Sequence, residues 1–431
     1  MQGLEFLSNL RLRASYGEVG NQNIGGYRYG SALTAVPTGM GQTFRLQNIP
    51  NPFVKWEATR STNFGLEIGL FDHRIDFMID VYQKNVDDML LELPLPNYLG
   101  TGHWTGISSP WVNVGQLENR GVEFTLSTRN IAQRHMTWDT DITLSHNRNE
   151  IINLGAENAS IIQNVQWFHP VTNTIAGQPI GQFYGWVVDG IFTSAEDIAN
   201  SPRQHPSVHP ITGVWLGDLK FKDLSGPNGT PDGIIDENDR TFIGNPAPDF
   251  TFGINNSINW RNFDFSVYIQ GSYGNEIFNF TRRITESMGT ANFNQMATVN
   301  DRTIIEMIDT QGSATDPANF RVVNPTTNMP RATTTDPNNN IRISDRFVED
   351  GSYARIQTVS LGYVLPVNIT APIGVSRLRV YATVQNLHTF TRYSGYDAEI
   401  GAFNQNPMLM GIDNGRYPLP RIFTFGLSAQ F

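Results

Sequence analysis

Apolar and polar residues alternate with a period of two along much of this chain. Such alternation predicts β-strands that have one apolar and one polar face. Neighbouring segments are joined by short turns, such as 71–74, 132–135 and 260–263, which predicts antiparallel hairpins. Over the whole chain, about eleven or twelve strands of roughly ten residues are expected. The clearest segments are 10–16, 64–70, 75–82, 122–126, 138–144, 250–260, 263–273, 356–365, 378–387 and 421–431.

The predicted connections alternate between short and long. Short turns on one side of a sheet and long loops on the other are the layout of outer-membrane β-barrels, in which the long loops face outward. A soluble β-sandwich has connections of more even length. The long connections are rich in Asn, Pro, Gly, Trp and Tyr, and they are expected near 90–119, 155–249, 282–351 and 389–420.

The last segment, Arg421–Phe431, has the strongest membrane character. One of its faces is apolar and rich in aromatic rings, and the other is small and polar except for Ile422. A sandwich strand would also alternate, but an aromatic face that ends on Phe is typical of the last strand of an outer-membrane barrel, which the assembly machinery reads. The predicted assembly signal consists of Phe423, Phe425, Leu427 and Phe431.

Composition agrees with an all-β chain. Charged residues make up 16%, below the roughly 25% of soluble globular chains, while Gly (39 residues) and aromatics (11%) are plentiful. No run of 18 apolar residues is present, which excludes a transmembrane helix. A transmembrane strand needs only one apolar face, so a mean hydropathy of −0.30 is compatible with a membrane barrel.

Several other classes are disfavoured. A net charge of −10 leaves no basic stripe for nucleic acid, and the absence of cysteine excludes disulfides. No G-x-S-x-G, H-E-x-x-H or P-loop motif is present, so no catalytic residue is predicted. The N-terminus has no basic and apolar regions of a signal peptide, so the chain is expected to be a fragment of an exported protein.

Two stretches, Trp56–Leu91 and Asn113–Leu126 (NVGQLENRGVEFTL), resemble the TonB-dependent outer-membrane transporters. Four further stretches are Ser15–Asn21 (SYGEVGN), Gly177–Phe192, Gly217–Phe250 and the C-terminal RYPLPRIFTFGLSAQF. These four resemble one branch of that family, the SusC/RagA-like nutrient transporters of Bacteroidota.

This resemblance implies an all-β fold, the C-terminal part of a plugged antiparallel transmembrane barrel of roughly 22 strands. Residues 1–431 would supply about half of the strands, without the plug. The implied function is import of oligosaccharides or peptides across the outer membrane of a Gram-negative bacterium. The implied partners are a SusD-like surface lipoprotein, the TonB complex through the missing N-terminal region, and outer-membrane lipid.

One segment, Asn228–Asp239 (NGTPDGIIDEND), has the spacing of a twelve-residue calcium loop. Oxygen ligands at alternating positions are what a hard cation requires. The alternative is an Asp- and Gly-rich turn that binds nothing, and Asn at the first position would weaken binding. The candidate Ca²⁺ ligands are Asn228, Thr230, Asp232, the Ile234 carbonyl, Asp236 and Asp239.

Aromatic residues in the long connections are candidates for stacking on a sugar or packing against a peptide. The alternative for each is a membrane-interface girdle or packing within a loop. The substrate-binding candidates are Tyr98, Trp104, Trp111, Trp167, Trp186, Tyr393 and Tyr396, and the wider set adds Phe168, Tyr184 and Phe403. Arg11 and Arg13 are expected to face the barrel interior and to pair with carboxylates such as Glu67 or Glu123.

Two other functions compete with nutrient import. A soluble or surface-exposed β-sandwich that binds glycans would explain the loop aromatics, but not the terminal Phe or the one-sided long loops. A siderophore or vitamin receptor of the same barrel fold is disfavoured by the SYGEVGN and GNPAPDF stretches.

Overall fold

The structure is a computed structural model, and it describes residues 6–21, 27, 29–92, 106–155, 159–166, 169–289 and 293–431. The strands, in chain order, are β1 (Leu7–Asn21), β2 (Leu33–Thr38), β3 (Gly41–Leu46), β4 (Glu57–Leu70), β5 (Ile75–Glu92), β6 (Trp111–Gln133), β7 (Met136–Asn153), β8 (Ser160–Val165), β9 (His169–Ile175), β10 (Gln182–Gly185), β11 (Val188–Ile191), β12 (Leu219–Phe221), β13 (Thr241–Gly244), β14 (Phe250–Trp260), β15 (Phe263–Tyr273), β16 (Glu276–Asn279), β17 (Ile305–Met307), β18 (Phe320–Val322), β19 (Val348–Asp350), β20 (Tyr353–Val364), β21 (Arg377–Thr391), β22 (Ile412–Asp413) and β23 (Ile422–Gln430). Short α-helices lie between them, α1 (Ala195–Asn200), α2 (Phe280–Thr285) and α3 (Val367–Thr370). Within the described ranges, no helix combines the length and the apolar character needed to cross a membrane.

Ten strands form one antiparallel sheet in the order β1-β4-β5-β6-β7-β14-β15-β20-β21-β23. Each predicted segment lies in one of these strands to within one residue, so the all-β prediction is confirmed. The expected count of about eleven or twelve is too high for the described part of the sheet. The connections contain short strands of their own, which do not join this sheet.

The two faces of the sheet differ in chemistry. On β23, Phe425 and Leu427 are 80% and 73% exposed, and they lie opposite Ala382 and Val380 of β21. The apolar face therefore points away from the protein. An exposed apolar surface that runs across a whole sheet is rare in soluble monomers, whereas it is the outward surface of a transmembrane barrel.

Glycines on the polar face accommodate tyrosine rings from the neighbouring strand. A Cβ atom added to Gly121 would lie 2.3 Å from the Tyr82 ring, and one added to Gly426 would lie 2.3 Å from the Tyr381 ring. Each pair faces directly across the ladder. These two positions need glycine because any side chain would displace the tyrosine that covers the backbone.

The connections at one end of the sheet are short, as predicted. Residues 71–74 join β4 to β5, residues 134–135 join β6 to β7, and residues 261–262 join β14 to β15. The left-handed backbone of Arg261 (φ +55°) closes one turn. The 365–376 connection contains α3 and a 3-10 turn.

The first predicted long connection, 90–119, is wrong in its bounds. β5 continues to Glu92 and β6 begins at Trp111, and these two residues pair across the ladder. The backbone pairing of β5 with β6 continues beyond the region in which apolar and polar side chains alternate. In this outer part, Leu91 is buried in a cluster with Ile151 and Leu154, at the end of β7.

The buried core of the described chain lies in the long connections rather than in the sheet. Its largest cluster draws Phe183 from 154–249, Phe278 and Phe347 from 274–352, and Ile412 from 392–421. Small sheets form within these connections, among them the four-stranded β13-β10-β9-β8. The three long connections therefore form one packed body, which we call the loop body, at the end of the sheet opposite the short turns.

Candidate functional site

The polar face of the sheet carries a row of ion pairs. Arg11 Nη1 lies 3.3 Å from Glu67 Oε2, and Arg13 lies 3.3 Å from Glu67 Oε1 and 2.8 Å from Asp80 Oδ2. The predicted pairing of both arginines with Glu67 is confirmed, and both lie on the polar face of the sheet. Glu123, the other predicted partner, lies directly across the ladder from Asp80, with no ion pair to either arginine in the described residues.

A groove of about 570 Å³ lies at the long-connection end of the sheet. Three aromatic residues line it: Tyr27 and Tyr29, which follow β1, and Trp111, which begins β6. The tyrosine rings are tilted by 46° with centroids 6.4 Å apart, and Tyr27 is 84% exposed. Rings that stand open to solvent in a concave surface are suited to stacking on a flat apolar part of a ligand.

Backbone and amide contacts hold the wall of this groove in place. Ser108 donates its N–H to the Gln47 carbonyl at 2.9 Å and accepts from the Ile49 N–H at 3.1 Å. The Asn51 side chain donates to the Trp111 carbonyl at 2.7 Å. Gln47, Asn48 and Glu92 add polar groups to the lining. The groove thus combines three rings with amide and carboxylate groups that can meet hydroxyl or peptide N–H groups.

Trp111 is the predicted aromatic candidate that this groove contains. Tyr27 and Tyr29 were missed, because 22–56 was not among the predicted long connections. The available signal was the pair of tyrosines in Tyr27–Gly30 (YRYG), directly after an alternating segment. The structure shows that this connection forms a hairpin of its own, β2 and β3, beside the groove.

Trp186 does not offer a surface for stacking, contrary to expectation. It is buried, and the guanidinium groups of Arg240 and Arg342 lie 5.0 and 5.3 Å from its ring centroid. Its indole N–H donates to the Asp236 carbonyl at 2.8 Å. Burial also lowers the pKa of Arg342 to about 10, which leaves it charged at neutral pH. Trp186 therefore contributes cation–π contacts to the loop body.

Tyr393 also belongs to the interior of the loop body. It is buried, and its hydroxyl donates to Asp413 Oδ2 at 2.6 Å. Burial, together with this hydrogen bond, raises the pKa of the Tyr393 hydroxyl above its usual range. Tyr393 is therefore a packing residue, contrary to the prediction, because an aromatic side chain in a long connection can pack in the interior as readily as it can bind a ligand.

The remaining aromatic candidates are dispersed. Tyr396 is exposed, but it does not line the groove. Tyr184 packs against Arg240, and Phe403 packs against the largest buried cluster. Tyr98, Trp104, Trp167 and Phe168 lie outside the described residues.

The predicted calcium loop is organised by its own hydrogen bonds. Asp239 is buried, and its carboxylate accepts the N–H groups of Leu224, Ser225 and Asp236 at 2.8, 3.1 and 2.7 Å. Asp236 caps the 3-10 turn Glu237–Asp239. In these contacts the carboxylate oxygens accept backbone N–H groups. They do not converge on one point at which a cation could bind.

The other candidate ligands lead to the same conclusion. Asp232 accepts the N–H of Ile234 at 3.0 Å, and Asn228 and Thr230 are exposed. Within the described ranges, no three acidic or histidine side chains lie close enough to share a metal ion. The geometry fits a hydrogen-bonded turn, and calcium binding stays a prediction.

Comparison with known proteins adds family information. The family model described as "TonB dependent receptor-like, beta-barrel" matches residues 3–387. A TonB-dependent receptor of Formosa agariphila is 34% identical over 444 residues, covering 100% of this chain and 41% of that protein. TonB-dependent receptor SusC of Bacteroides thetaiotaomicron is 27% identical over 449 residues, covering 100% of this chain and 38% of that protein.

Among solved structures, one described as the RagAB peptide transporter matches with a TM-score of 0.75 at 21% identity, covering 100% of this chain and 42% of that chain. This likeness concerns the fold. The chain spans about two fifths of the length of the curated relatives that it matches.

Proposed function

The chain belongs to the TonB-dependent receptor-like β-barrel family, and on that premise we propose that it forms part of an outer-membrane importer of nutrient oligomers. The importer is a transport protein rather than an enzyme. One observation carries the proposal: the ten-stranded sheet exposes an apolar face, while ion pairs such as Arg13–Asp80 and Arg379–Asp264 lie on the other face. In a β-sandwich the apolar face would be buried against a second sheet.

The energy source and the lid belong to the same proposal. Import would be driven by the TonB complex acting on parts of the protein that this chain does not supply. A SusD-like surface lipoprotein would cover the loop body. Support comes from the relatives named SusC and RagAB, and from the packing of three long connections into one body.

For substrates, we propose oligosaccharides or peptides that enter past the groove formed by Tyr27, Tyr29 and Trp111. The relative described as a peptide transporter keeps peptides among the candidates. The rings and the amide groups of the lining suit both classes, because each has apolar faces beside hydrogen-bonding groups.

The membrane location is tested by placing a charge on one face or the other of β23. Expressed with its natural flanking sequence, the protein is expected in the outer-membrane fraction. Phe425→Arg should reduce the assembled protein strongly, since an arginine facing lipid near mid-membrane costs about 2–4 kcal/mol. Thr424→Arg is the matched control on the polar face and should assemble normally.

Membrane fractionation and heat-dependent gel mobility measure the assembled fraction. Protein that stays soluble without detergent would contradict the proposal. So would equal assembly of the two arginine variants, because the exposed face would then not be in contact with lipid.

The groove is tested by removing its rings one at a time. Tyr27→Ala, Tyr29→Ala and Trp111→Ala should each weaken binding of the preferred oligomer roughly fivefold, as expected for the loss of about 1 kcal/mol of ring contact. Tyr417→Ala, an exposed tyrosine of another connection, is the control. Titration calorimetry with neutral oligosaccharides and with peptides of mixed sequence measures the effect, and unchanged affinity in all three variants would exclude the groove.

A further inference from the structure

We propose that the short-turn end of the sheet binds the phosphate head group of a phospholipid. The site is a notch of about 510 Å³ between the turn that joins β6 to β7 and the turn that joins β14 to β15. This inference rests on the proposed membrane location. Short turns of outer-membrane barrels face the periplasm, so the lipid would belong to the inner leaflet.

The notch is lined by basic side chains that lack acidic partners. Arg134, His135 and Arg261 are exposed, and in the described residues none of them has a carboxylate within ion-pair distance. The Arg261 N–H donates to the His135 carbonyl at 2.8 Å, which fixes the two turns side by side. Two guanidinium groups at one opening can donate several hydrogen bonds to the oxygens of one phosphate group.

Two neighbouring arginines at the same end are paired with carboxylates. Arg129 lies 3.3 Å from Asp139, and Arg379 pairs with Asp264. Arg134 and Arg261, in contrast, have no carboxylate partner among the described residues and share one opening with His135. A local cationic opening at the membrane surface attracts anionic lipid head groups.

Aromatic rings mark the depth of the notch in a membrane. On the apolar face beside it, the rings of Trp260 and Phe263 are stacked with their centroids 6.0 Å apart. The ring centroids of Phe263 and Tyr363 are 4.6 Å apart. The Arg261 guanidinium lies 5.5 Å from the Trp260 ring centroid. Tryptophan and tyrosine gather at the level of lipid head groups, so the notch opens where a phosphate would be.

A chain of polar side chains crosses the apolar face from β14 through β7 to β6, a few residues from the short turns. Asn256 Oδ1 accepts from Trp138 Nε1 at 3.0 Å and from Thr140 Oγ1 at 2.7 Å. Asn130 Nδ2 donates to Thr140 Oγ1 at 2.8 Å, and Thr128 Oγ1 donates to Asn130 Oδ1 at 3.1 Å. Polar groups in this position would be unfavourable against hydrocarbon alone.

A lipid held by its phosphate would place its ester groups beside this chain. Asn256 lies four residues from Trp260, about 13 Å along a strand and less in depth because barrel strands are tilted. The Asn256 side-chain amide N–H groups have no acceptor among the described residues, so they are available to an ester carbonyl. The notch and the polar chain thus match the two polar parts of one phospholipid.

The experiment compares two double variants of the protein with its natural flanking sequence, in micelles of an uncharged detergent. Arg134→Ala/Arg261→Ala removes the notch charges. Arg120→Ala/Arg148→Ala removes two exposed charges that face each other across β6 and β7 at the opposite end. Binding of short-chain phosphatidylglycerol is measured by titration calorimetry, and inorganic phosphate is titrated separately.

The notch variant is expected to bind phosphatidylglycerol at least about tenfold more weakly than the unaltered protein, and the control less than about twofold. Asn256→Leu should weaken the lipid without changing the response to inorganic phosphate. Equal losses in both double variants would overturn the proposal, as would inorganic phosphate binding as tightly as the lipid. A protein that fractionates with the membrane but does not bind phosphatidylglycerol would overturn the lipid proposal and leave the proposed transport function intact.

Discussion

Replacing Arg331 with methionine is expected to lower the local unfolding free energy of the loop body by about 3–5 kcal/mol. Arg331 Nε and Nη2 donate to the two oxygens of Asp218 at 2.7 and 3.0 Å. The Asp218 side chain is 0% exposed and that of Arg331 is 8% exposed. Removing the arginine leaves a buried carboxylate without its countercharge, which is one of the costliest single changes in a folded protein.

The remaining contacts of Asp218 cannot replace the arginine. The Trp215 N–H donates to it at 2.8 Å and the Asn340 side chain at 3.0 Å, but both donors are neutral. A neutral hydrogen bond contributes less than a charge-assisted one. We therefore expect Asp218→Asn, introduced together with Arg331→Met, to recover part of the loss.

Native-state hydrogen exchange over 186–221 and 331–345 measures the effect, since it reports local opening free energies. The control is Arg321→Met, because Arg321 pairs with Glu306 at an exposed position of β18 and such pairs contribute about 0–1 kcal/mol. A loss for Arg331→Met no larger than that of the control would show that Asp218 is not held by this ion pair.

Replacing Arg355 with methionine is expected to release the 392–421 connection from the sheet, again with a loss of about 3–5 kcal/mol in local stability. Arg355 lies in β20, is buried, and donates from Nη1 to Glu399 Oε2 at 2.7 Å. A second bond joins it to Asp397. Asp397 also accepts the N–H of Leu419 at 3.2 Å, so one guanidinium fastens both ends of this connection.

Limited proteolysis and hydrogen exchange of 392–421 measure this release. Arg416→Met is the matched control, because Arg416 is an exposed arginine of the same connection. Exchange in β4 and β5 should stay unchanged, since these strands lie at the far side of the sheet from β20. Unaltered protection of 392–421 in Arg355→Met would contradict the anchoring role.

Alternation alone located the strands whose two faces meet different surroundings. The predicted segments 250–260 and 263–273 have the same bounds as β14 and β15, because a two-residue turn ends both strands sharply. β6 is far longer than its predicted core, 122–126. Its outer half leaves the apolar environment, so its side chains stop alternating while its backbone remains paired with β5 and β7.

The loop body could not be derived in the same way. Phe183 and Phe278 have ring centroids 5.9 Å apart, although they come from different connections and no periodicity relates them. For the same reason, Trp186 and Tyr393 resembled exposed aromatics in sequence and are buried in the structure. Trp111 could be predicted as a candidate because its connection was recognised as long. Tyr27 and Tyr29 could not, because the sequence did not predict the β2–β3 hairpin beside which they lie.

The shared core of the loop body has an evolutionary consequence. Phe183, Phe347 and Ile412 come from three connections and pack in one cluster, so a length change in any connection leaves a cavity or a clash in the other two. Recombination between relatives should therefore exchange these three connections together. A new ligand preference would be inherited as a block, while the strands beneath drift independently of it.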